Sequence, residues 1–285
     1  MIRRRFIVVT LLAPPLLLTS SLLAQLPQPS ATPSPVEDKE LIAAALKLTK
    51  EAAAKYEFAL ESADSHPPQL VAEPVLRWSN PPAGEIHGNV FLWTSGGQPA
   101  VVGSIFKWFS PHTHMSHEFH SLAEQPLRGK FDGKEVWVSS EPGLRFAALP
   151  AAPLPAAGKP QRLLQMREFA RACAVIKRER DGTLSELRLL TQPIFRYEAP
   201  QVGLIDGALF AFVQGTDPDL FLLLEARESG GQPAWQFAAS RMNSVALNLR
   251  YNDKELWNVD VLPWSDVSGH QQPYTSFLHK MPWTK

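Results

Sequence analysis

The stretch EPVLRWSNPPAGEIHGNVFLW, from Glu73 to Trp93, recurs later in the chain as QPIFRYEAPQVGLIDGALFAF, from Gln192 to Phe212. The two stretches align without a gap, and self-similarity of this kind is typical of an internal duplication. We therefore predict two copies of one unit related by a pseudo-twofold axis. The identical pairs are Pro74 and Pro193, Arg77 and Arg196, Pro81 and Pro200, Gly84 and Gly203, Ile86 and Ile205, Gly88 and Gly207, and Phe91 and Phe210.

The segments around each stretch show the same order of periodicities. Apolar residues at helical spacing predict helices over 36–54 and 160–174. Alternating and apolar runs bounded by Gly, Pro and Asn predict the strands that follow each helix, including a hairpin around Asp132-Gly133. This order predicts an α+β fold of two tandem repeats, each a helix followed by an antiparallel β-meander, with the curved sheet of cystatin-like or NTF2-like folds. The alternative is that the two copies merge into one continuous sheet.

The predicted organisation follows from these patterns and from shifts in composition. Pro-rich and Ala/Pro-rich stretches predict connecting segments, because repeated proline removes backbone donors and fixes φ. We predict a signal peptide over 1–24, a Pro/Ser-rich tether over 25–35, a first α+β repeat over 36–146, an Ala/Pro linker over 147–158, a second α+β repeat over 159–262 and a C-terminal tail over 263–285.

The start of the chain indicates export. Three arginines, Arg3 to Arg5, precede an apolar run that is interrupted by Pro14 and Pro15, and Ala24 is a candidate cleavage point. The run is too short for a stable membrane span, so we expect a processed periplasmic or extracellular protein with no span left. The arginines fit a twin-arginine signal or a general secretory signal.

A formal net charge of zero excludes the electrostatic footprint of a nucleic-acid partner.

The strongest candidate site is the segment HTHMSHEFH, from 112 to 120, which holds four of the eight histidines. In an extended segment, His112, His114, Glu118 and His120 share one face and His117 lies on the other. Imidazole nitrogens bind zinc and other divalent transition metals, and Glu118 is the candidate catalytic base or a further ligand. The alternative is a polar edge strand with solvated histidines. His87 is a candidate for an additional ligand from outside the segment.

The second copy lacks these histidines, and Asp206 stands where the first copy has His87. The duplicated unit therefore does not require the histidine cluster.

Arg77 and Arg196 lie within predicted strands, where an arginine needs an ion pair or serves as a ligand anchor. Asp206-Gly207 and Asp217-Pro218 are predicted to form turns.

The segments PHTHMSHEFHSL, DGALFAFVQGTDPDLFLLLEAR and QRLLQMREFA, together with RWSNP and ELRLLTQPIFRYE, resemble an uncharacterised family of exported proteins typical of planctomycetes. The resemblance covers most of the chain after the tether. It implies an exported location, and it implies no activity and no site residues.

We expect a non-catalytic binding or interaction module, because the chain contains no G-x-S-x-G motif, no phosphate-binding loop and no CxxC pair. Its partner would be an unidentified protein or small ligand. The alternative is a metal-binding protein or metal-dependent hydrolase that uses His112, His114, His117, Glu118 and His120.

Overall fold

The computed structural model describes residues 35–62 and 66–280. Strands hold 52% of these residues and helices 16%, so the fold is mainly β. The prediction of an α+β fold made of two helix-plus-meander repeats is therefore wrong. The predicted signal peptide, and the tether up to residue 34, lie outside the described residues.

The physical reason for this error is that the longest strands are buried on both faces. A strand of this kind takes part in two core layers at once, so the sheets carry the packing and the helices only cover outer faces. Strand pairing also crosses the predicted boundaries, because segments of the linker and the tail join the large sheets.

The first part of the chain begins with a helix, as the sequence predicts, and continues through nine strands. Helix α1 spans Pro35–Ala53. The strands are β1 Tyr56–Leu60, β2 Gln69–Leu70, β3 Leu76–Ser79, β4 Glu85–Ser95, β5 Gln98–Ser110, β6 His114–Ser121, β7 Leu127–Phe131, β8 Lys134–Ser139 and β9 Ala147–Ala148.

The second part again opens with a helix, α2 Lys159–Arg171, and adds a short helix near its end, α3 Trp264–Gly269. A 3-10 turn, Pro200–Val202, precedes the longest strands. The strands are β10 Cys173–Arg178, β11 Leu184–Leu189, β12 Phe195–Ala199, β13 Leu204–Gln214, β14 Asp217–Ser229, β15 Gln232–Arg241, β16 Ala246–Tyr251, β17 Lys254–Val259 and β18 Tyr274–Lys280.

The described strands form three antiparallel sheets. A small sheet has the order β1-β7-β8, and a six-stranded sheet has the order β18-β6-β5-β4-β2 with β3 also paired to β4. A nine-stranded sheet has the order β17-β16-β10-β11-β13-β14-β15-β9, with β12 also paired to β13. The two large sheets share one apolar core, to which Val90 and Val102 of the six-stranded sheet and Leu209 and Phe221 of the nine-stranded sheet contribute. This inter-sheet layer positions the candidate site.

Each large sheet is covered on its other face. Phe91 and Phe119 of the six-stranded sheet pack with Phe58 of the small sheet and with the end of α1. Phe210 and Leu222 of the nine-stranded sheet pack in a separate cluster that includes Met166 and Phe169 of α2. Full burial of one such side chain contributes about 1.5–3 kcal/mol to stability, so both outer layers stabilise the sheets that they cover.

Two glycines allow an aromatic ring to lie across a neighbouring strand. Trp78 pairs with Gly88, and a Cβ at position 88 would lie 2.1 Å from the Trp78 indole. Tyr197 pairs with Gly207, where a Cβ would lie 2.6 Å from the Tyr197 ring. The Trp78 Nε1 atom then donates to Ser104 Oγ at 3.0 Å. The sequence predicted a turn at Gly207, but the close approach of the Tyr197 ring explains the glycine there, as the Trp78 ring explains Gly88.

The tail, which has no clear periodicity, supplies an edge strand of the six-stranded sheet. Strand β18 pairs with β6 over seven residues, from Tyr274 opposite His120 to Lys280 opposite His114. Helix α3 leads into this strand, and the hydroxyl of Thr275 donates to Val267 O at 3.2 Å. None of the described helices is both long enough and apolar enough to cross a membrane.

Candidate functional site

An acidic cleft of about 410 Å³ opens where the loop after β3 meets the β13–β14 hairpin. Its walls come from both large sheets, so it lies at one end of the shared core. The side chains that bear on its chemistry are Asn80, Lys177, Gln214, Thr216, Asp217 and Asp219.

The start of β14 carries two carboxyl groups. Asp217 and Asp219 are separated by one residue there, beside a register shift in the ladder with β13 at Phe212 and Val213. The turn before them lies at Gly215, whose φ is +63°, and Asp217 already pairs with Gln214 in the ladder. The predicted turn at Asp217-Pro218 is therefore the beginning of a strand.

Lys177 of β10 contacts three polar side chains through its ammonium group. Its Nζ atom is 2.8 Å from Gln214 Oε1, 3.1 Å from Asp219 Oδ1 and 3.1 Å from Glu179 Oε1. Burial lowers the pKa of the Lys177 ammonium, but the carboxylates of Asp219 and Glu179 outweigh that effect and leave the pKa above its usual value. Lys177 is therefore a fixed positive charge at neutral pH.

The two carboxyl groups of β14 differ in their partners. Asp219 accepts hydrogen bonds from Lys177 and, at 2.7 Å, from Asn243 Nδ2. Burial raises the pKa of Asp219, and Lys177 and Asn243 oppose that increase. Burial and the neighbouring Asp219 raise the pKa of Asp217 to about 7, although Lys177 and Asn80 oppose this. Asp217 is only half-buried, so a ligand in the cleft can reach it.

Glu118 adds a third carboxyl group from the opposite sheet. It pairs with Ser104 on one side and Ser276 on the other, and its side chain faces the inter-sheet layer. Burial, followed by the charges of Asp217 and Asp219, raises its pKa to about 8, although the Tyr274 hydroxyl and Lys177 favour the ionised form.

Carboxyl groups outnumber cations in this part of the structure. The charges of Asp217 and Asp219 raise the pKa of Glu118, and Glu179 and Asp219 raise the pKa of Lys177. Within the described part of the chain, Lys177 is the cation that lowers the pKa values of Glu118, Asp217 and Asp219. Among the described residues, neither Glu118 nor Asp217 forms an ion pair. Both groups therefore have either to hold a proton or to meet a cation from outside.

Other buried carboxylates of the described chain have such a partner. Asp206 is fully buried and accepts from Arg162 Nε at 3.0 Å and from Arg196 Nε at 2.9 Å. The predicted ion pair of Arg196 therefore exists, but with Asp206, which lies within β13 and not in the turn that its sequence suggested. Arg77, its counterpart in the repeated stretch, is exposed, and its charge lowers the pKa of Glu73 after the larger effect of Lys50.

Glu225 is neutralised in a similar way at the second cleft, which encloses about 380 Å³ at another edge of the shared core. It accepts from Tyr197 Oη at 2.8 Å and from Arg227 Nε at 2.6 Å. This contrast distinguishes the acidic cleft, where no guanidinium group of the described residues forms an ion pair with Asp217 or Asp219.

The structure separates the histidines of the 112–120 segment. The rings of His112 and His114 lie 5.5 Å apart beside Trp108 at the start of β6. Burial, followed by the charges of His112 and Lys107, lowers the pKa of His114. His120 faces the inter-sheet layer, where its Nδ1 atom is 2.7 Å from Ser121 O and burial lowers its pKa to about 4.

His117 lies on the other face of β6, as the alternation predicts, and is fully buried. Burial and the neighbouring His279 lower its pKa to about 3. His87, the candidate additional ligand, packs against Phe109 at a centroid distance of 6.1 Å. Within residues 35–62 and 66–280, no group of three or more His, Cys, Asp or Glu side chains is arranged to hold a metal ion.

Sequence reasoning missed Lys177, Asp217 and Asp219. The Asp-Pro-Asp sequence at 217–219 carried a usable signal, because it places two carboxyl groups within three residues at the start of a strand. The contribution of Glu118 to the same cluster depends on how two sheets pack, and no local pattern contains that information. Comparison of the chain with known proteins found no matching family model, no matching curated protein and no matching solved structure.

Proposed function

We propose that the protein is an exported binding module without catalytic activity, and that the acidic cleft binds a small organic cation. The observation that carries this proposal is the excess of carboxyl groups over cations at Glu118, Asp217 and Asp219. Export is supported by the arginine-led apolar start of the sequence.

The size and access of the cleft favour a small molecule. A volume of about 410 Å³ lies in the range of small-ligand pockets. The half-buried Asp217 is the anchor, because Asp219 is already paired with Lys177, while Asn80 lies at the rim. An ammonium group beside Asp217 would favour its ionised form, and the positive charge would also act on Glu118, whose pKa already responds to the charge of Asp217.

Calorimetric titration with tetramethylammonium, putrescine and spermidine tests the proposal, with glucose and sodium phosphate as uncharged and anionic comparisons. We expect binding of at least one cation, and we expect Asp217→Asn to weaken it by about tenfold or more, equivalent to about 1.4 kcal/mol. Glu228→Gln is the matched control, because Glu228 is an exposed carboxylate at the far end of β14. Equal affinities in parent and Asp217→Asn, or binding of glucose or phosphate alone, would contradict the proposal.

A second candidate function is acid–base catalysis in the same cleft. The observation that favours it is a pair of carboxyl groups, Glu118 and Asp217, with pKa values of about 8 and 7. Groups that titrate near neutral pH are suited to proton transfer, and they concentrate at active sites. Turnover of an ester, phosphate, glycoside or peptide substrate that is abolished in Glu118→Gln would favour this function over binding alone.

The metal-dependent alternative is less well supported by the geometry. His112 and His114 lie at one end of β6, His117 on one face, and Glu118 and His120 on the other. Zinc or another divalent ion bound by three of these residues stays a prediction. Metal analysis of protein purified without a histidine tag is the measurement that tests it.

A further inference from the structure

Two histidines that are distant in sequence lie side by side beneath the C-terminal strand. His117 of β6 and His279 of β18 have ring centroids 4.3 Å apart, with the ring planes tilted by 37°. The Nε2 atoms of both rings are buried, and neither has a hydrogen-bond partner among the described residues. A buried polar atom without a partner is costly, so this pair requires an explanation.

The remaining nitrogen of His117 is already engaged. Its Nδ1 atom lies 2.7 Å from Tyr56 Oη, and the Tyr56 hydroxyl can accept the Nδ1 proton. In that tautomer the Nε2 lone pair is free. Metal-bound imidazoles commonly hold their second nitrogen in such a hydrogen bond, which fixes the orientation of the ring.

The surroundings keep both rings neutral and in place. Phe131 packs against His117 at 5.9 Å and against His279 at 5.2 Å, and Tyr56 packs edge-on to His117 at 5.7 Å. No carboxylate forms an ion pair with either imidazole in the described part of the chain, so burial favours the uncharged form that a metal ligand requires.

We propose that His117 Nε2 and His279 Nε2 together bind one divalent first-row transition-metal ion. Two imidazoles that hold an ion at about 2.0–2.1 Å and at nearly a right angle have centroids roughly 4.5 Å apart, close to the observed spacing. Water would complete the coordination from the side of His279, whose side chain is partly exposed although its Nε2 atom is buried in the metal-free chain. This site is separate from the acidic cleft, because His117 lies on the opposite face of β6 from Glu118.

Titration of the full chain, without a histidine tag, with copper(II) sulfate tests the proposal, because copper binds nitrogen ligands most strongly among these ions. We expect one ion per chain, nitrogen hyperfine structure in the electron paramagnetic resonance spectrum, and at least a tenfold loss of affinity in His279→Ala. Circular dichroism monitors the fold, and His279→Gln is the second variant if the alanine change unfolds the edge strand.

The matched control is the double variant His112→Ala, His114→Ala, which removes a neighbouring imidazole pair at the start of the same strand. Affinity within twofold of the parent in this control supports the proposal. Retained affinity in the folded His279 variant, loss of binding in the control alone, or no copper binding by the parent would each overturn it.

Discussion

Thr216 and Ser79 form two hydrogen bonds with each other across the two large sheets. The Ser79 backbone N–H donates to Thr216 Oγ1 at 3.0 Å, and the same hydroxyl donates to Ser79 O at 2.7 Å. The contact joins the end of β3 to the β13–β14 hairpin and so holds together the two walls of the acidic cleft.

Replacement of Thr216 by valine removes both of these hydrogen bonds and leaves the hairpin free to move relative to β3. Because each of the two hydrogen bonds contributes about 0.5–1.5 kcal/mol, we expect the free energy of unfolding to fall by about 1–3 kcal/mol. We also expect weaker binding of the cation. Denaturant unfolding and calorimetry measure the two effects, and Thr191→Val, at an exposed site, is the control. An unchanged variant would show that this contact does not hold the cleft.

The raised pKa of Glu118 predicts that stability decreases as pH increases. The folded state keeps its proton up to about pH 8, whereas the unfolded chain releases it near 4.5, so the folded state binds more protons between these values. The free energy of unfolding then falls from about pH 4.5 to about pH 8 and levels off above. Asp217 adds a similar fall between about 3.8 and 7.

Glu118→Gln is expected to flatten this dependence and to be more stable than the parent at pH 8. Urea unfolding at pH 5, 6.5 and 8 measures the free energy of unfolding of both proteins, with Glu57→Gln, at an exposed site, as the control. If the parent is equally stable at the three values, or if Glu57→Gln changes the slope as much, Glu118 does not carry the uncompensated charge.

Binding of a cation is expected to strengthen as pH increases. Tetramethylammonium does not titrate, so any change in its affinity reports a change in the protein, and Asp217 and Glu118 are half-ionised near pH 7 and pH 8. We expect a higher affinity at pH 8.5 than at pH 5.5 in calorimetry. The increase should be smaller in Asp217→Asn, and an affinity that is independent of pH would place the ligand elsewhere.

Gly88→Ala is expected to destabilise the inter-sheet core, because the new methyl group would meet the Trp78 indole at 2.1 Å. Forced repacking of this kind costs about 1–3 kcal/mol. Thermal unfolding measures the loss. Gly269→Ala is the control, since a Cβ at that position meets nothing within 4 Å and should leave the melting temperature nearly unchanged.

Arg162→Met tests the neutralisation of Asp206. The change leaves a fully buried carboxylate with Arg196 as its remaining guanidinium partner, so we expect a loss smaller than the value of about 3–5 kcal/mol for a fully unpaired buried charge. Arg167→Met, on the exposed side of α2, should cost far less. Adding Asp206→Asn to Arg162→Met should restore part of the loss, and an additive double mutant would contradict the coupling.

Local elements were predictable from the sequence because their signals are local. The helix predicted over 36–54 is confirmed as Pro35–Ala53, and the hairpin at Asp132-Gly133 is confirmed between β7 and β8. Period-two alternation correctly separated His117 from Glu118. The fold class failed because pairing between distant strands, such as β11 with β13 and β6 with β18, leaves no mark in either strand alone.

In the candidate sites, too, the local part was predictable from the sequence and the long-range part was not. The residue types of the 112–120 segment pointed to chemistry at β6, yet the groups that meet them come from elsewhere: His279 for His117, and Asp217 and Asp219 for Glu118. A sequence pattern identifies the donors, whereas the packing of sheets decides which donors meet.

The pairing of β18 with β6 has a consequence for how the polypeptide folds as it is made. The whole second part of the chain separates these strands, so β6 is synthesised long before its edge can be paired. Until then it presents unpaired backbone groups to other chains, a known route to aggregation. Contacts of such long range also slow folding, because the intervening loop must close first. The six-stranded sheet is therefore completed only after β18 has been synthesised. A nascent chain that still lacks β18 is the form that chaperones would need to protect from aggregation.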